Sequence, residues 1–191
     1  LESRGHSLCY INGKPRGGDV YNRGTLRLPF MLKQGRNELL FRSGRGPLKP
    51  VVHRSKSVAE AEMSYPSDHV AFIGSNDQTL PDLILGEPLD GHAAVLIYNV
   101  DERPLREVVI QAQVGDLLTD NMIGTIQPLS FLKVPIDFRC TAPESLDSVP
   151  LKLTLLSNGR VLDEQEVQLA TKASDDLHLR TFISQIDGSA Q

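Results

Sequence analysis

The chain has 191 residues, 40% of them hydrophobic and 23% charged, with a formal net charge of −4. This is the composition of a folded domain with a real core rather than a disordered chain, and no apolar run approaches the roughly 18 residues that a membrane-crossing helix needs. Two cysteines, Cys9 and Cys140, are too few for a disulfide scaffold, and the first residues, LESRGHSLCY, lack the apolar centre of a signal peptide.

Charge is unevenly spread. Residues 1–56 hold twelve Lys and Arg against three Asp and Glu, whereas the remainder holds eight against twenty-one. The basic residues punctuate turns and alternate with apolar ones instead of forming a block. They read as a solvated face, with attraction to the acidic remainder or to a neighbouring domain as the alternative. A nucleic-acid partner would want aromatics interleaved with the basic residues for stacking, and the chain has no Trp; none is expected.

In chain order, LCYING is a strand ending in Asn12-Gly13, a strong turn signal. TLRLPFML sets Leu26, Leu28, Phe30 and Leu32 on one face and Arg27, Pro29 and Met31 on the other; with the turn Lys33-Gln34-Gly35-Arg36 and the strand NELLFRS it predicts a hairpin. Pro29 lacks a ladder donor, which places that strand at an edge or a bulge. From Val51 to Pro81 the alternation lapses, apart from a helix-like piece at Val58 to Met63, and the segment reads as a linker.

Beyond it, DLILGE, HAAVLIYNV, LREVVIQAQVG, SFLKVPIDFRC, PLKLTLLS and RVLDEQEVQLAT read as about six strands separated by turn residues. That spacing fits an immunoglobulin-like antiparallel sandwich. Val108, Ile110, Ala112 and Val114 oppose Val109, Gln111 and Gln113, and Leu132, Val134, Ile136, Phe138 and Cys140 share one face. Cys140 is therefore a core residue, with a bridge to Cys9 as the alternative. Ser157-Asn158-Gly159-Arg160 predicts a type I′ hairpin turn. The tail offers an extended run from Leu177 to Ile186, an exit strand toward a following domain. The organisation expected is all-β: residues 1–54, a linker over 55–80, the sandwich over 81–173 and the exit over 174–191.

Catalytic motifs are missing. The elbow G-x-S-x-G does not occur, and GHSLC supplies only its first half, so His6 and Ser7 are not expected to act. No phosphate loop, dinucleotide fingerprint or H-E-x-x-H appears. The five histidines have no zinc-site spacing. No cofactor is expected beyond a structural calcium ion, for which the loop acid Asp19 in GGDVYNRG is the candidate ligand. The same glycine-rich loop carries Arg16, Tyr21 and Arg23, the candidate ligand-binding residues for a glycan or another acidic polymer.

The segment CYINGKPRGGDVYNRGTLRLPFMLKQGRNELLFR resembles the back half of a galactose-binding-like jelly roll, with a strand ending in NGK, a glycine-rich loop and an L-x-x-G-x-N-E-L hairpin. Residues 1–54 are accordingly expected to be a partial jelly roll. The longer order, from INGKPRGGDVY through LKQGRNELLFRSGRG, LPDLILGEPLDGHAAVLIYN, KVPIDF and GRVLDEQ to HLRTFISQIDGSAQ, is similar to the non-catalytic N-terminal region of bacterial prolyl-oligopeptidase-like serine peptidases. This resemblance implies a piece of a longer, extracytoplasmic polypeptide, periplasmic or secreted, whose α/β-hydrolase domain follows. The family's catalytic serine, aspartate and histidine have no counterparts here, so the chain itself is expected not to be an enzyme but an accessory module of a serine hydrolase. The alternative is a stand-alone module that binds glycan or polyanion.

Overall fold

The computed structural model describes residues 1, 5–19, 27–43, 47–52, 71–145 and 147–174, with the side chains of Asn76 and Asp77 excepted. All regular structure in these residues is β, and no helix among them is long and apolar enough to cross a membrane. The chain runs through β1 (His6–Ile11), β2 (Lys14–Arg16), β3 (Leu39–Ser43), β4 (Ala71–Thr79), β5 (Leu83–Ile84), β6 (Leu89–Asn99), β7 (Leu105–Val114), β8 (Leu117–Ile126), β9 (Ser130–Cys140), β10 (Val149–Ser157), β11 (Arg160–Leu169) and β12 (Thr171–Lys172).

The first three strands form a small antiparallel sheet in the order β2-β1-β3. Asn12 and Gly13, with φ of 51° and 79°, turn β1 into β2 as the sequence predicts. Asn12 then ties that turn to the next: its Nδ2 donates to Asn37 Oδ1 at 3.0 Å and its Oδ1 accepts from Glu38 N at 3.0 Å, while Asn37 Nδ2 donates to the carbonyls of Lys33 and Gly35. Leu1, Cys9, Ile11 and Leu28 form a small core against Phe30, Leu39 and Phe41. The predicted partner of β3 is different. Residues 28–38 are irregular and β3 pairs with β1, from Ile11↔Leu39 to His6↔Ser43. Pro29 contributes to this outcome, because it has no N–H to give a ladder.

The larger unit is a sandwich of two antiparallel sheets, β11-β10-β7-β8 facing β4-β6-β9. Hairpins β7-β8 and β10-β11 lie in one sheet, and the chain changes sheet between β6 and β7, β8 and β9, and β9 and β10, which makes the fold immunoglobulin-like. Period-two side chains fill the space between sheets: Val108, Ile110 and Ala112 meet Leu151, Leu153, Leu155, Val134, Ile136, Phe138 and Cys140 in one core. Leu132 departs from the expected pattern, 43% exposed at the start of β9. Asn158 and Gly159 adopt the two positive φ angles of the predicted turn, 48° and 72°.

Two strands of the sandwich are absent from the sequence reading. Residues 71–79, assigned above to the linker, form β4 and pair with β6 from Ala71↔Asn99 to Thr79↔Ala94. β8 pairs with β7 along its whole length. DLILGE yields only the two-residue β5, which pairs in parallel with β12. Cys9 and Cys140 are both free thiols, Cys9 in the small core and Cys140 in the large one. The helix-like piece at Val58 to Met63 and the exit run from Leu177 to Ile186 lie outside the described residues.

Side chains close both seams where the sheets meet edge to edge. On one side, Asp163 of β11 accepts from Ile73 N of β4 at 2.7 Å, and Gln78 Nε2 donates to Gln165 Oε1 at 3.1 Å. On the other, Asn121 of β8 accepts from Asp137 N of β9 at 2.6 Å and donates to Asp137 O at 3.0 Å. Pro135 lies two residues before Asp137 and so shares its parity, with its ring nitrogen facing away from β6. An edge strand tolerates proline only there.

Candidate functional site at the Arg16 junction

Arg16 is the last residue of β2 and sits opposite Cys9 of β1. The two therefore share the face that turns toward the small core. Its guanidinium leaves that core and one nitrogen, Nη2, donates to two carbonyls, Pro29 O at 2.7 Å and Leu129 O at 2.5 Å. The second belongs to the sandwich, so a single side chain ties the N-terminal sheet to the connection between β8 and β9.

The sequence around Leu129 prepares that carbonyl. Asn99, buried at the end of β6, donates through Nδ2 to the carbonyls of Arg103 and Gln127 at 2.9 Å each and to Ile126 O at 3.3 Å, and accepts from Asp101 N at 3.0 Å. One amide thus holds the loop after β6 against the end of β8. Leu129 N donates to Asp101 O at 3.0 Å, and Leu129 adopts φ of 47°, a left-handed conformation that non-glycine residues seldom take. Strain of this kind persists where surrounding bonds over-determine it.

The charges follow from burial. Desolvation lowers the Arg16 pKa, opposed by the nearby Cys9 sulfur, and a guanidinium still keeps its proton at any ordinary pH. Burial raises the Cys9 thiol, with Arg16 and the chain's amino group pulling it back. Arg103 forms a side-chain hydrogen bond to Asp101, the main reason that carboxyl lies below its usual range. The junction is chemically a clamp: a permanent cation, half withdrawn from water, on two oriented carbonyl dipoles.

Of the residues read from sequence as ligand-binding, Arg16 lies at this junction, and Tyr21 and Arg23 lie outside the described residues. Nη2 of Arg16 is engaged by these two carbonyls, and the residue is half-buried. Asp19 is buried, and among the described residues no three His, Cys, Asp or Glu side chains gather as metal ligands do. Gly18 has a structural reason: a Cβ there would stand 2.2–2.6 Å from backbone atoms of Ser7 and Leu8. His6 is buried with its ring edge-on to Phe41, centroids 5.4 Å apart, and Ser7 belongs to the same strand rather than to an elbow.

Two features escaped the sequence reading. Phe72, Tyr98 and Phe131 lie side by side across β4, β6 and β9, with centroids 4.9 Å apart for the first pair and 5.7 Å for the second. Tyr98 is 2% exposed on the outer face of this sheet, beside the β9 end that Leu129 leads into. The available signal was Tyr98 and Phe131 at facing strand ends, but without β4 the ladder has no third rung. The other feature is His92 with Asp137, a cross-strand pair at 2.6 Å, both largely exposed. Such surface pairs contribute little to stability.

No protein-family model and no curated protein matches the chain. Among solved structures it is similar to a β-glucuronidase of glycoside hydrolase family 2 (15% identity, 89% of this chain and 21% of that one, TM-score 0.44). It is similar also to a putative beta-galactosidase from Bacteroides fragilis (14%, 88% and 29%, 0.43) and to red sea bream transglutaminase (17%, 56% and 15%, 0.41). The chain therefore spans less than a third of each of these three proteins, and likenesses this distant carry none of their chemistry to it.

Proposed function

We propose that this chain is the non-catalytic positioning module of a larger, exported serine hydrolase of prolyl-oligopeptidase type. The observation that supports it is the Arg16 clamp. A module that positions a neighbour has to hold its own parts at fixed distance and angle, and Arg16 couples the small sheet to the sandwich through a charged donor on two carbonyls. Hydrogen bonds from a charged group are stronger than neutral ones. The two sheet seams, closed by Asp163 and Asn121, stiffen the larger unit in the same sense.

The test is the full-length gene product. Sequencing beyond Gln191 is expected to reveal an α/β-hydrolase domain carrying G-x-S-x-G. In that protein, Arg16→Ala is expected to lower turnover of peptide substrates while the isolated 191-residue chain turns over none. A stop codon after Gln191, or hydrolysis by the isolated chain, overturns the proposal.

A further inference from the structure

The outer face of the four-stranded sheet carries a band that its interior pattern does not require. The register sets Met122 of β8 opposite Val109 of β7, Val109 opposite Leu156 of β10, and Leu156 opposite Val161 of β11. Paired residues of an antiparallel ladder point to the same face, so these four apolar side chains form one row across the whole sheet. Met122 is 76% exposed and Val161 51%, with Val109 and Leu156 half-buried between them. Bulges in the edge strands create the row. β8 and β11 each slip register beside it, and the skipped residues Ile123 and Leu162 pack against the core while Met122 and Val161 turn outward.

The row is bordered by charged residues on both sides. On one side the next level of the ladder is Asp120, Gln111, Thr154 and Glu164. Glu164 is engaged by Lys152 at 3.1 Å, and Asp120 accepts from Gln111 at 3.0 Å. On the other side stands the exposed Arg106, followed by Glu107 in the β7 bulge. A half-turn about an axis lying along the row returns apolar side chains onto apolar side chains. It also brings Arg106 of one copy over the Asp120 side of the other.

We propose that this band is a self-association face, on which a second copy of the chain stacks row on row about a twofold axis. Twofold interfaces are isologous, so one patch has to complement itself; an apolar row with Arg106 on one flank and Asp120 on the other does so. The inference is independent of the positioning role proposed above.

Sedimentation equilibrium of the 191-residue chain over low micromolar to submillimolar concentrations is expected to show a monomer–dimer equilibrium. Met122→Asp should abolish the dimer while leaving the melting temperature unchanged at concentrations where the parent chain is monomeric, since in the monomer this side chain is largely in water. Arg106→Asp and Asp120→Arg should each weaken association about tenfold, and the double reversal should restore it, as charge complementarity across an interface requires. A monomer at every concentration overturns the proposal, and so does a dimer indifferent to Met122→Asp. If Met122 of that monomer is shielded from hydroxyl-radical oxidation, the row is covered within the chain instead.

Discussion

Ile73 donates its backbone N–H to a carboxylate oxygen of Asp163 at 2.7 Å, across the seam between β4 and β11. The two strands belong to different sheets, so no ladder joins them, and an acid only 5% exposed supplies the acceptor that a neighbouring strand would provide inside a sheet. Asp163→Ala strands the Ile73 donor in a buried place. A hydrogen bond to a charged group contributes about 1.5–3 kcal/mol, and that loss is expected in urea unfolding, with faster amide exchange at Ile73. Asp163→Asn keeps an acceptor and should lose less. Equal effects from the two variants would mean that a neutral amide acceptor cannot stand in for the carboxylate at the seam.

The opposite seam depends on Asn121, whose amide makes two bonds to the backbone of Asp137. These are neutral and more exposed, each contributing about 0.5–1.5 kcal/mol. Asn121→Ala is therefore expected to cost less than Asp163→Ala, and to accelerate exchange at the Asp137 amide while leaving that at Ile73 unchanged. A global rise in exchange would show that the two seams do not open independently.

Where alternation was unbroken, the sequence was sufficient: β7, β9 and β10 place Ile110, Ile136 and Leu153 in the core as their period-two spacing implies. It failed where the backbone departs from a plain pleat. β4 slips register between Gly74 and Thr79, so AFIGSNDQT shows no alternation to read. β8 carries a bulge beside Met122, and its inward side chains include Thr119 and Asn121, polar residues at a seam. The predicted hairpin at Pro29 failed because β3 found a better donor–acceptor row in β1. Of the candidate site, the residue Arg16 was legible but its role was not. A carbonyl 113 positions away leaves no trace in local spacing.

The glycine loop offers a test with its own control. Gly18 has backbone of Ser7 and Leu8 within 2.6 Å of where a Cβ would stand, whereas Gly17 has nothing within 4 Å. Backbone cannot step aside as a side-chain end can. Gly18→Ala is expected to destabilise the small sheet by several kcal/mol, in the range of strong overpacking, and Gly17→Ala to be near neutral. Near-ultraviolet circular dichroism and thermal melting distinguish them; a neutral Gly18→Ala would mean that the loop does not rest on β1.

Arg16 predicts the thermodynamic coupling of the two units. With the clamp intact, calorimetry is expected to give one unfolding transition. Arg16→Ala removes a cationic donor from two carbonyls, so the small sheet should melt ahead of the sandwich, with a loss of about 1.5–3 kcal/mol. Arg16→Lys retains the charge without the planar fork and should recover only part of it. A single transition at an unchanged temperature in Arg16→Ala would remove the basis for rigid coupling.

Alkaline stability should report the two buried thiols. Burial raises the pKa of both Cys9 and Cys140 in the folded chain, above the ordinary thiol value of about 8.5. Below that pH both thiols are neutral, folded or unfolded, and their contribution is fully present. As pH rises through it, the unfolded chain releases protons that the folded chain retains, and stability is lost until the folded thiols ionise in turn. Linkage limits the loss to about 1.4 kcal/mol per thiol for each pH unit between the folded and unfolded values. Cys140→Ala lowers stability at every pH by leaving a small cavity, so the level is uninformative and the slope is the measurement. Between pH 8 and 10 (approximate limits set by the thiol range) the variant's stability should fall less steeply than the parent's. Native Cys140 should also resist a thiol reagent until the sandwich opens. Parallel slopes would mean that Cys140 titrates alike in both states, which its place among Phe138, Ile136 and Leu89 does not allow.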